Sequence, residues 1–219
     1  MVSTPPPGIA VTSVERSGSR DAILQAVRAA RPPAVARPEP FWPAVRASNG
    51  STARDVFTAA ATAAGAAVVA CPRGDLPRVL AGAVGAASST LSFLEGVPST
   101  VAPAGDPHLL DTLDVVVCES MLGVAENGAV WIATSDSTLR AALFLAMRVV
   151  ITIAEEHLVA DLHQAYERID LCLHTFGAFI AGPSKTADIE QSLVIGAHGP
   201  KELTIVLVSV TTPDEIGAA

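Results

Sequence analysis

The sequence predicts an α/β protein with a mostly parallel sheet and helices on both faces. Three observations carry this. Short apolar runs rich in β-branched residues alternate along the chain with Ala- and Leu-rich amphipathic stretches. The apolar runs hold very few charges, as strands covered on both faces should. Capping and turn residues separate the two kinds of segment.

The elements follow in order. Half of the 16 prolines precede Ala44, so residues 1–50 read as an N-terminal arm. Asp21 to Ala30 forms one short helix there, capped by Ser19. Phe41 and Trp42 are expected to pin the arm onto the domain or onto a second subunit. From Ser51 the texture changes. A helix runs to about Ala64 and ends at Gly65. Ala66 to Cys71 reads as a buried strand, Leu76 to Ala87 as a helix and Leu113 to Cys118 as a strand. Ala129 to Ala133 is a strand after the Asn127-Gly128 turn. Leu139 to Met147 reads as helix and Val149 to Ile153 as a β-branched strand. His157 to Ile169 reads as an amphipathic helix, with Leu158, Leu162, Ala165 and Ile169 on one face. A strand over Ala178 to Ala181, a helix over Lys185 to Ile195 and a strand over Leu203 to Val208 complete the domain, taken as 51–210 with a tail at 211–219. In such sheets ligands sit beyond the C-terminal strand ends, which singles out the segments after Cys118, Ala133 and Ala181.

Composition narrows the function classes. Hydrophobic residues make up 50% of the 219, but aromatics only 4%, so the core must be built from small side chains in close contact. A net charge of −8 argues against a nucleic-acid partner, which would need clustered Lys and Arg. The three cysteines, Cys71, Cys118 and Cys172, are far apart and form no Cys-x-x-Cys, so no intrinsic metal or iron–sulfur site is expected. Val56 to Cys71 is short and interrupted by Gly65, and Ala141 to Ile153 contains Arg148, so no membrane span is expected. The N-terminus has no basic start or apolar h-region, which makes a cytoplasmic location the expectation.

Three motifs stand in the second half: Ala125-Glu126-Asn127-Gly128, then Gly182-Pro183-Ser184-Lys185-Thr186-Ala187-Asp188-Ile189-Glu190, then His198-Gly199-Pro200. Their order and spacing resemble the LutC/YkgG lactate-utilization family, the LUD-domain proteins, over roughly Ala53 to Val208. The resemblance implies a three-layer α/β/α sandwich of the NagB/RpiA/CoA-transferase kind. It also implies an accessory or ligand-binding role, or an enzyme of unassigned reaction, in L-lactate oxidation beside iron–sulfur partner subunits, which would hold the clusters. No G-x-G-x-x-G fingerprint supports a dinucleotide.

Each motif has a chemical and a structural reading. At Gly182 to Thr186 a helix N-terminus would offer free N–H groups, with hydroxyls from Ser184 and Thr186 and a positive charge from Lys185. Such a turn would take a small carboxylate, a phosphate or a CoA-like ligand. On the structural reading Ser184 is simply an N-cap. Ser135 and Thr138, in Thr134-Ser135-Asp136-Ser137-Thr138, follow a strand as phosphate loops do, but lack their glycines. Of the five histidines, His198 sits beside Gly199 in a turn able to face a site. Glu126, with Asn127 and Gly128, is similar to the Ser-Glu-Asn-Gly turn of CoA transferases, whose glutamate forms the acyl-enzyme anhydride. On the structural reading Glu126 accepts turn N–H bonds. Three functions therefore stay open: a carboxylate-binding subunit of a lactate-oxidising system, an acyl- or CoA-handling enzyme acting through Glu126, and a regulatory ligand-binding module.

Overall fold

A computed structural model of the chain describes residues 15–33, 35–36, 51–102, 107–186 and 194–209. It divides the chain into two units, Met1–Pro43 and Ala44–Ala219. In the first unit α1 spans Glu15–Ala29, longer than the sequence predicts. Ser19 lies inside it and is not its cap; an exposed helix tolerates Gly18 and Ser19 at a cost of roughly 1 kcal/mol or less each. Residues 37–50, with Phe41 and Trp42, lie outside the described ones, as do 211–219.

The second unit begins with α2 (Ala53–Ala63). Its cap is Thr52. The Thr52 hydroxyl accepts from Asp55 N–H while the Asp55 carboxylate accepts from Thr52 N–H, a capping box. The Thr52 hydroxyl also donates to the Asp55 carboxylate at 2.7 Å, and this bond, followed by that from Thr52 N–H, lowers the Asp55 carboxyl from its usual value. Next come β1 (Ala67–Pro72), α3 (Leu76–Val84), β2 (Thr90–Ser92) and β3 (Val115–Glu119). A hairpin of β4 (Leu122–Val124) and β5 (Ala129–Thr134) precedes α4 (Ser137–Leu145) and β6 (Arg148–Ala154). Then follow β7 (Leu158–Val159), α5 (Leu162–Arg168) and β8 (Phe176–Ile180). The short β9 (Lys185–Thr186) and β10 (Val194–Ile195) precede the last strand, β11 (Glu202–Ser209).

Five strands form a fully parallel sheet in the order β1-β11-β6-β3-β2. Period-two alternation divides its side chains between two cores. Val115, Val117, Val150 and Val206 face one side, where Leu80 of α3 covers them. Val116, Ile151, Ile153, Ile205 and Leu207 face the other, against Phe57 and Ala61 of α2 and Leu139 and Leu143 of α4. This α/β arrangement agrees with the sequence reading. Arg148 ties α3 to the sheet: its guanidinium donates to the carbonyls of Ala83 and Val84 at 3.3 and 3.2 Å, satisfying the C-terminal end of that helix.

Four expectations are corrected. Strand β1 is not buried: it lies at the sheet edge, and Ala67, Val69 and Ala70 are exposed. A second sheet, β7-β4-β5-β8, is mixed rather than parallel. Val130 and Ile132 of β5 face the core shared with the parallel sheet, while Trp131 faces a third cluster with Val159 and Ala165. The third correction concerns the helix expected over His157 to Ile169. Leu158 and Val159 pair with Gly123 and Val124 as strand, and the helix starts only after Asp161, whose carboxylate accepts from Gln164 N–H. Last, no helix begins at Lys185. Lys185 and Thr186 pair antiparallel with Ile195 and Val194, and 187–193 lie outside the described residues. The non-local ladder overrides the local N-cap signal of Ser184. Among the described residues no helix is long and apolar enough to cross a membrane.

Candidate functional site

Two of the three motifs meet at one cavity. Gly182, Pro183 and Ser184 leave the end of β8 and turn against His198, Gly199 and Pro200, lining a half-open cavity of about 290 Å³. Backbone bonds lock the two turns together: Ser184 N–H donates to Pro200 O, and Gly196 N–H to Ser184 O, each at 2.9 Å. Gly199 packs so close to Ser184 that an added Cβ would lie 3.0 Å from the Ser184 Cβ. The remaining walls are apolar, among them Phe144, Val149, Phe179 and Leu203. Ser184 and His198 are thus the polar side chains of an otherwise greasy cavity, the usual composition of a small-ligand pocket. Its position departs from expectation. Val149 and Leu203 start β6 and β11, so the cavity lies at the N-terminal edge of the parallel sheet, although it follows the C-terminal end of β8.

Lys185 and Thr186 do not line this cavity. The Lys185 ammonium donates to the carbonyl of Ala64, the C-cap of α2. It neutralises a helix C-terminus, where a cation is favoured by the dipole. The free helix N–H groups expected beside it are absent, since Ser184 N–H is bonded and residues 185–186 are strand.

Gly182 and Gly128 place both loop motifs on the same last turn of α2. Gly182 has φ +73°, and a Cβ there would overlap the Ala64 carbonyl; Gly128 has φ +68°, and a Cβ there would overlap the backbone of Ala61. Sequence reading missed α2 as the shared platform. Its signal is the run Ala59-Ala60-Ala61-Thr62-Ala63-Ala64, a helix face with little side chain to keep a loop away.

Glu126 sits at the tip of the β4–β5 hairpin, exposed to solvent and outside the cavity. Its carboxylate accepts from Leu162 N–H at 2.9 Å and its N–H donates to Ala160 O at 3.0 Å, so it fastens the hairpin to the start of α5. Asn127 Oδ1 accepts from Ala129 N–H and closes the turn. Glu126→Ala is therefore expected to cost about 1 kcal/mol, and Glu126→Gln, which keeps an acceptor, a few tenths. Urea unfolding of the two variants checks this. Equal losses would remove the hydrogen bond from the explanation.

Ser135 and Thr138 also have local partners. Ser135 Oγ accepts from Thr175 N–H, and Thr138 N–H donates to Asp136, the N-cap of α4. Neither residue lines the cavity. Cys71 and Cys118 are buried and Cys172 is exposed. Burial pushes the Cys118 thiol up to about 12, so it stays protonated.

A second cavity of about 210 Å³ escaped the sequence reading. It gathers His157, Arg168 and His174 around Trp131. These residues come from a turn, a helix end, a loop and a strand, with no common periodicity to announce them.

Residues 108–208 match the model of the LUD domain family. That segment holds both hairpin motifs, the His198 turn and the second cavity, and leaves out α2. Lactate utilization protein C of Shouchella clausii (strain KSM-K16) is 34% identical over 104 residues, covering 43% of this chain and 44% of that protein. Its counterpart in Geobacillus sp. (strain WCH70) is 32% identical over 106 residues, covering 44% and 42%. That of Bacillus subtilis (strain 168) is 28% identical over 106 residues. The match thus spans less than half the length of these curated relatives. A crystal structure of a DUF162 family protein from Deinococcus radiodurans superposes with a TM-score of 0.52 at 20% identity, over 71% of this chain and 96% of that one. That likeness concerns the fold alone. With the α/β fold and the ordered motifs in place, residues 108–208 of this chain are similar to the LUD domain family, and the chain shares part of its length with proteins named lactate utilization protein C.

Proposed function

We propose that this chain serves lactate utilization by binding a small carboxylate in the cavity between the Gly182-Pro183-Ser184 and His198-Gly199-Pro200 turns. The observation that supports this reading is the convergence of these two turns on one half-open cavity, inside residues 108–208, which match the LUD domain family model. Ser184 Oγ and the His198 ring would receive the carboxylate, and the apolar walls would exclude water and strengthen those bonds. Lys185 is not assigned to the ligand, because it is engaged at Ala64.

In this reading the chain works as a subunit or close neighbour of an iron–sulfur lactate-oxidising system in the cytoplasm, with the clusters held by its partners. The acyl-handling alternative of the CoA-transferase kind would need Glu126 beside a pocket. Its engagement with Leu162 N–H favours the turn role instead.

Thermal unfolding with L-lactate or pyruvate tests the proposal. Ligand at about 100 times its dissociation constant should add about 2.7 kcal/mol to the wild type. A variant carrying Ser184→Ala and His198→Ala should lose most of that gain while keeping its own unfolding cooperative. If neither acid stabilises the wild type, or the double variant gains as much, the carboxylate site is not here.

A further inference from the structure

We propose that the second cavity is a separate binding site for a small monocarboxylate with a flat or apolar body. Trp131, only 7% exposed, lines the cavity. Its ring is fixed in place. Phe179 packs against it with centroids 4.7 Å apart, and it crosses β8 at Gly177, where an added Cβ would overlap the indole. A rigid aromatic wall of this kind gives a planar or apolar ligand body a surface to lie on with little loss of conformational entropy.

The rim supplies one fixed charge of the matching sign. Arg168 ends α5, is exposed, and has no carboxylate partner among the described residues. The carboxylate of Asp170, also in the wall, is turned back into its own loop, where it accepts from Cys172 N–H at 2.8 Å. His157 and His174 line the same cavity and bring imidazole groups to it. A planar guanidinium fork takes a carboxylate through two parallel bonds. The Asp170 carboxylate in the same wall keeps its charge and offsets part of that of Arg168, so the lining suits a monoanion paired with the guanidinium better than a phosphate dianion. The chain as a whole carries −8, so long-range attraction does not draw an anion here and recognition must come from these contacts. Leu173, 67% exposed, extends the apolar wall at the mouth. This site shares no lining residue with the first cavity, so the proposal stands whether or not that one takes lactate.

The test follows Trp131 emission. The chain has two tryptophans, and a Trp42→Phe background leaves Trp131 as the reporter. Sodium benzoate is titrated as the probe, with inorganic phosphate at equal ionic strength as the comparison. The expected result is a saturable change with benzoate, weakened at least about tenfold by Arg168→Ala. Arg168→Lys should weaken it severalfold, since it keeps the charge but loses the fork. His198→Ala, in the other cavity, should leave the affinity unchanged. The proposal is overturned if benzoate gives no saturable change, or if Arg168→Ala binds as the parent does. It is equally overturned if phosphate binds as tightly as benzoate, or if His198→Ala abolishes the response.

Discussion

Gly128→Ala is expected to destabilise the protein by about 3 kcal/mol. Two costs combine. At φ +68° an alanine pays roughly 1–2 kcal/mol for the left-handed conformation. Its Cβ would also overlap the backbone of Ala61 and lie 2.7 Å from the Ala60 carbonyl carbon, which forces the hairpin off α2 at roughly 1–3 kcal/mol. Backbone cannot swing aside as a flexible side chain can. A chain of this size should lose about 6–12 °C from its unfolding midpoint. Calorimetry checks it. A loss under about 1 kcal/mol would mean that the hairpin does not rest on α2 as described.

Gly182→Ala should cost a similar amount and also impair the site. Its φ is +73°, and a Cβ would overlap the Ala64 carbonyl that also accepts from Lys185. Relief requires moving Pro183 and Ser184, which line the cavity. The expected result is about 3 kcal/mol of lost stability in urea, with lactate or pyruvate no longer raising the midpoint. Lys185→Met, by contrast, removes one bond to the α2 terminus and should cost about 0.5–1 kcal/mol while leaving the ligand response intact. A Gly182→Ala protein that keeps both stability and response would separate the turn from the site.

These substitutions mark where the sequence was legible and where it was not. The β-branched runs around Val115, Val149 and Leu203 were readable because strands buried on both faces carry so little charge. Thr52, Asp136 and Asp161 cap their helices with short polar side chains, a local chemistry visible in sequence, although Asp161 was overlooked inside an apparent helical stripe. That stripe was misleading. Leu158 and Val159 point to different cores, as strand residues do, and only pairing with β4 reveals it. The segment from Lys185 failed for the same reason. A Gly-Pro-Ser-Lys run looks like a helix start until Pro200, sixteen residues later in the chain, accepts the Ser184 N–H. The motif residues were found because of their order, but their partition was not legible. Gly182, Ser184, His198 and Gly199 line a cavity, whereas Glu126, Asn127, Ser135 and Thr138 close turns and caps.

The two turns are proposed to form a binding site for a small carboxylate. Crystals of the protein soaked in L-lactate or pyruvate test it most directly. The expected result is ligand density in the cavity lined by Phe144, Val149 and Leu203, with the carboxylate within hydrogen-bonding distance of Ser184 Oγ or the His198 ring. Well-ordered crystals at saturating ligand that show this cavity without either acid, or show the acid only elsewhere on the molecule, would contradict it.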